Sequence, residues 1–140
     1  MSFVKAALTL TDDAVLAMLS AARLKAADMG QPQCIVIVDT SAVVLGSLRM
    51  AGARVLSLRS ATAKAQTAAS TGNPSGAVGE SVRLALAAAT EGTMTGLPGG
   101  LPIRMAGALV GGIGVGSGSG AQDEDVARAA LAAIGADPVT

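Results

Sequence analysis

The 140-residue sequence predicts an α+β domain with a mostly antiparallel sheet. Three observations lead there. Apolar runs at 34–38 and 43–50, and again at 101–105 and 109–115, are separated by only a few turn residues, the pattern of two hairpins. Helical patterns group around these pairs instead of alternating with single strands, so a parallel arrangement is not indicated. No repeat and no linker interrupts the chain, and residues 1–140 read as one domain.

The elements follow in order. Thr11 is suited to cap a helix because its hydroxyl can accept from a free backbone N–H, and Asp12 and Asp13 complement the helix dipole. Val15, Met18, Leu19, Ala22, Ala26 and Met29 then recur at helical spacing, and Gly30 and Pro32 end the pattern. This predicts a helix over 12–29. In the first hairpin Asp39 is a turn former whose carboxylate can bond N–H groups just ahead of it. The alanine-rich stretch 54–70 predicts a second helix. TGNPSG at 71–76 breaks it, and a third helix is expected over 78–89 with Val82, Leu84, Leu86 and Ala89. The loop 91–100 has room for a short additional strand, so the sheet is expected to have five. After the second hairpin, a glycine corner at 116–120 leads into a last helix over 122–134, with Asp123, Glu124 and Asp125 in its first turn and Gly135 beyond it.

Composition excludes several classes of function. Ten basic and ten acidic residues balance, and aromatic side chains are almost absent, so neither charge nor stacking argues for nucleic acid. The longest apolar run, Ala106 to Val115, is too short to cross a bilayer, and MSFVKAALTL has no apolar stretch of signal-peptide length. The one cysteine, Cys34, has no partner for an internal disulfide. These features make a cytoplasmic protein the expectation. Small side chains dominate the 51% hydrophobic content, so a core built from them has few large anchors. Contacts between subunits are expected to supply part of the stability.

The motifs narrow the chemistry further. Gly116, Gly118 and Ala121 fit a loose dinucleotide pattern, but three acids follow where a pyrophosphate would need positive potential. With no histidine and one cysteine, the usual general base and the common zinc sets are missing. The charge map is more informative. No acid occurs between residues 40 and 79, while Arg49, Arg54, Arg59 and Lys64 all fall there. Ser57, Ser60 and Thr67 add hydroxyls. An arginine fork suits a carboxylate, so this stretch is where an anionic ligand is expected.

Several spaced motifs carry a family likeness. They are Val36-Ile37-Val38-Asp39, Arg49-Met50-Ala51-Gly52-Ala53, Ser57 with Ala61, Lys64, Ala65, Thr67 and Ala68, then Gly99-Gly100 with Pro102-Ile103, and Val110-Gly111-Gly112-Ile113-Gly114-Val115. Asp123 and Val126-Ala127 close the series. In this order the chain resembles the GlcG/HbpS-like haem-degrading domain family. The resemblance implies a profilin-like domain that forms homodimers or larger ring-like assemblies and binds a small molecule, in some members haem. Two departures stand out: Ala51 replaces a motif aspartate, and Ala42 stands where a turn glycine is usual. Haem iron is ordinarily held by His, Cys, Met or Tyr. Without His or Tyr, haem here would rest on Cys34, a methionine or a weak oxygen ligand.

The ligand is expected near Arg49, Met50, Lys64, Thr67, Gly99, Gly100 and Pro102, with Arg49 and Lys64 holding anionic groups and the glycines admitting backbone to close range. The alternative is a small enzyme acting on a carboxylated metabolite, with Arg49 at the site and a desolvated Lys64 as base or nucleophile. No metal site is expected.

Overall fold

A computed structural model describes residues 1–140. The elements are α1 (Asp12–Asp28), β1 (Cys34–Val38), β2 (Val44–Arg49), α2 (Ser57–Thr71), α3 (Arg83–Ala89), β3 (Gly100–Met105), β4 (Ala108–Gly116) and α4 (Gly120–Ala133). Short 3-10 turns occupy Ser75–Ala77 and Glu80–Val82. The sheet runs β2-β1-β4-β3, and every neighbouring pair is antiparallel. The α+β class therefore holds, with four strands rather than the expected five.

The missing strand has a physical reason. Over 91–97 backbone donors turn to nearby carbonyls or to side chains instead of a neighbouring strand. Glu91, Gly92 and Thr93 bond the carbonyls of Ala88, Ala87 and Thr90. Met94 N–H goes to Thr90 Oγ1 (3.0 Å), Thr95 N–H to Thr67 Oγ1 (3.0 Å) and Leu97 N–H to Thr95 Oγ1 (3.1 Å). The third helix is also shorter than its pattern, because Val78 is extended and Gly79 precedes a 3-10 turn. The second starts at Ser57 rather than Arg54. Gly52 (φ +90) makes a turn ahead of it, and Arg54 gives its N–H to Ser117 Oγ (2.9 Å). The last begins two residues early, since Ser119 and Gln122 form a reciprocal capping box. No helix is long and apolar enough to cross a membrane.

Local chemistry explains the first hairpin. Asp39 Oδ1 accepts from Ser41 N–H (2.8 Å) and Val43 N–H (3.1 Å), and Ala42 takes the left-handed conformation (φ 64). Beyond this turn β2 forms an edge whose Val44 and Leu45 are exposed.

The two sheet faces are built differently. On one, Ile35, Ile37, Leu101, Ile103, Ile113 and Val115 pack with Val15, Met18, Ala22 and Ala26 of α1 and Val126, Ala130 and Leu131 of α4. On the other, Cys34, Val36 and Val38 meet Ala61, Ala65 and Ala69 of α2. There β4 presents only glycine. A Cβ on Gly114 would collide with the Ala61 carbonyl, and one on Gly112 with the Ala65 carbonyl. Helix α2 thus lies directly on bare strand backbone, and this close seating fixes where its polar side chains can go.

Candidate functional site

Lys64 lies on the sheet-facing side of α2 and is only 4% exposed. Its ammonium donates to the Val115 carbonyl (2.8 Å) and to Asp123 Oδ2 (2.9 Å). Asp123, in the first turn of α4, is 2% exposed, and its Oδ1 accepts from Gly118 N–H (3.0 Å). One buried ion pair therefore joins α2, the end of β4, the glycine corner and α4. Every polar atom of the pair has a partner, which a buried charge requires.

Gly99 and Gly100 complete this arrangement. Gly99 has φ +123, and a Cβ there would lie 2.6 Å from the Val115 carbonyl oxygen and 3.0 Å from Lys64 Nζ. Only glycine allows both the conformation and the approach. A Cβ on Gly100 would strike the Lys64 carbonyl. Its N–H donates to Ser75 Oγ (2.9 Å), and Ser75 in turn donates to the Leu97 carbonyl (2.6 Å). Thr67 donates to the Ala63 carbonyl (2.7 Å) while accepting from Thr95. Thr67 and Ser75 thereby pin the 91–99 loop against α2.

Outside the ion pair is a cavity of about 220 Å³. Arg54, Ser57, Ser60 and Lys64 form one wall, Ser117, Gly118, Gly120 and Asp123 another, and Leu97 and Pro98 the rim. The pair's charges offset each other, so Arg54 leaves the lining with a surplus positive charge. The lining contains none of His, Cys, Met or Tyr.

The structure brings together only part of the residue set expected from sequence. Lys64, Gly99 and Gly100 meet at the ion pair, and Thr67 lies on the same helix with its hydroxyl already engaged. Arg49 and Met50 do not border the cavity. Arg49 is exposed at the end of edge strand β2, opposite Cys34, and Met50 sulfur accepts from Gln33 N–H (3.4 Å). Pro102 borders a different recess, with Gly72, Arg104 and Asp137. Asp123 read as a helix-start charge; nothing in its immediate neighbours announces a partner fifty-nine residues away. Cys34 is buried and donates to the Arg54 carbonyl (3.6 Å). Burial pushes its thiol pKa up from the ordinary value, and the positive charge of Arg49 partly opposes this.

Fold and cavity together define a small α+β protein with a polar, positively biased pocket beside a buried ion pair. The chain belongs to the HbpS-like family of haem-degrading proteins, whose sequence model matches residues 10–132. Among solved structures it is similar to PduOC crystallised as a complex with heme, at 27% identity over 95% of this chain and 100% of the other, TM-score 0.87. It is also similar to ORFY of Klebsiella pneumoniae, at 25% identity over 99% of each chain, TM-score 0.92. A double mutant of HbpS from Streptomyces reticuli shares 33% identity over 92% of this chain and 89% of the other, TM-score 0.83. No curated protein matches the sequence significantly.

Proposed function

We propose that this protein binds a small molecule in a haem-related capacity, that the ligand is anionic, and that the chain works as a homo-oligomer in the cytoplasm. The observation that carries the reading is its membership of the HbpS-like family together with its likeness to a protein crystallised with heme. The cavity beside Lys64 supports the anionic character, through Arg54 and the hydroxyls around it. Within the wider site, Gly99 and Gly100 keep the backbone close to the ion pair. Met50, Thr67, Arg49 and Pro102 lie outside the cavity and would act only on a ligand that extends beyond it.

The residues present fit haem in one respect and not in another. Carboxylate-binding groups are available, but no strong iron ligand borders the cavity, and Cys34 is enclosed between sheet and helix. At about 220 Å³ the space is also smaller than the ~300–1,000 Å³ usual for drug-sized ligands. A macrocycle would therefore lie across the mouth.

Self-association is supported by apolar surface with no partner in the chain. Helix α3 buries none of its residues, and Leu84 is 87% exposed. The cytoplasmic assignment rests on the single unpaired thiol of Cys34. Haemin titration tests the binding. A Soret shift saturating at one haem per chain is expected, and unsaturable binding would sink the haem reading. Sedimentation tests the assembly, and a monomer at every concentration would reject it.

A further inference from the structure

The mouth of the cavity holds donors that the chain itself does not use. Arg54 is exposed, and its guanidinium forms no hydrogen bond or ion pair within the protein, while its own N–H is anchored on Ser117 Oγ (2.9 Å). Ser117 Oγ accepts in that bond and donates to no group of the chain, so its hydroxyl hydrogen is available. Ser57 also has an uncommitted hydroxyl, whereas Ser60 spends its hydrogen on the Ser57 carbonyl (3.1 Å). Asp123, the one acid in the lining, has its two oxygens engaged by Lys64 and Gly118. An incoming anion therefore meets a free guanidinium and two free hydroxyls. Beside them Leu97 lines the rim, and Leu56, next to Ser57, is exposed.

The geometry points to a carboxylate site that recognises the acid group of its ligand and makes no use of iron. Arg54 takes the two carboxylate oxygens through its fork, Ser57 and Ser117 supply the remaining hydrogen bonds, and the apolar part of the ligand covers Leu97. Two sources carry this chemistry: the propionate of a porphyrin lying across the mouth, and a free short-chain acid seated wholly inside. The porphyrin source rests on the function proposed above; the short-chain acid does not.

The full-length protein should be titrated with haemin, metal-free protoporphyrin and butyrate, the second followed by its own fluorescence. Metal-free protoporphyrin is expected to bind at one per chain, within about threefold of haemin's affinity. Arg54→Gln should weaken both by about tenfold or more, as loss of a charge-assisted contact does. Ser57→Ala should weaken them less, and Arg59→Gln, outside the cavity, should change neither. Displacement of the porphyrin by butyrate would confirm the shared site. Saturable binding of haemin without binding of the metal-free ring would overturn the inference and leave the haem reading intact. Arg54-dependent binding of butyrate alone would uphold the carboxylate site and remove the haem reading. Unchanged affinity in Arg54→Gln, or binding of none of the three, would overturn the site.

Discussion

The two faces of the sheet solve opposite problems. The face toward α1 and α4 is filled by isoleucine, leucine, valine and methionine, each burying a large apolar area. On the face toward α2, Cys34, Val36 and Val38 of β1 lie beside the glycines of β4 and meet the alanines of α2, and these small residues bury little but let helix and sheet approach to backbone contact. Only the second contains a buried ion pair and opens into the polar cavity. The difference teaches that the aliphatic face supplies stability by area, whereas the small-residue face supplies position. It holds Lys64 where Asp123, Val115 and Gly99 can meet it.

Substitutions can break or sharpen that contrast. The largest effect is expected from Gly114→Ala. One added methyl would run into the Ala61 carbonyl, so the loss should reach about 4 kcal/mol or more, the range reserved for severe core faults. A denaturation midpoint close to wild type would show that α2 can lift off the sheet easily. Next comes Asp123→Ala, which leaves the Lys64 ammonium buried without its counter-ion and should cost roughly 3–5 kcal/mol. Lys64→Met combined with Asp123→Leu should recover part of that loss in chemical denaturation, because it removes the unpaired charge but leaves the Val115 carbonyl and the Gly118 N–H without their side-chain partners. If the double variant is as unstable as the single, the pair does more than balance its own charges.

On the aliphatic face the same kind of change is milder. Ile37→Val removes one methylene from a well-filled region and should cost about 1 kcal/mol, with ligand binding unaffected. A cost as large as that of Gly114→Ala would erase the distinction between the faces. The smallest effect concerns Cys34, whose thiol pKa is raised by burial. Folding therefore favours the protonated thiol. Between the unfolded value of about 9 and the higher folded one, the native state binds more protons, so stability falls as pH rises through that window. Below it the contribution is constant. Alkaline stability profiles of wild type and Cys34→Ala should diverge only there, and parallel curves would contradict the assignment.

Much of the architecture was legible in the sequence because its signals are local. Thr11, Asp39 and the glycines after helices act within a few residues of themselves, and the first hairpin and first helix follow directly. The stretch 91–99 was legible as a loop, but that no strand forms within it was not. Three of its backbone donors are satisfied by the hydroxyls of Thr67, Thr90 and Thr95, and the first of these lies on another element. The site shows the same boundary. Lys64, Gly99 and Gly100 stand out by residue type, and the acid-free stretch draws attention to Arg54. The pairing of Lys64 with Asp123 depends on β4 carrying the chain back past α2. Arg49 shares the basic stretch with Lys64 in sequence, yet β1 stands between its strand and β4.

The clamp between Lys64 and Asp123 also sets an order of events. It closes a loop of fifty-nine residues, and the entropy of that closure is spent before the contact returns anything. The cavity walls come from the start of α2 and the start of α4, so no part of the chain ending before α4 can form the pocket. During synthesis the cavity is thus among the last features completed. A ligand of this cavity would therefore meet its complete set of contacts only on a molecule whose last helix is in place.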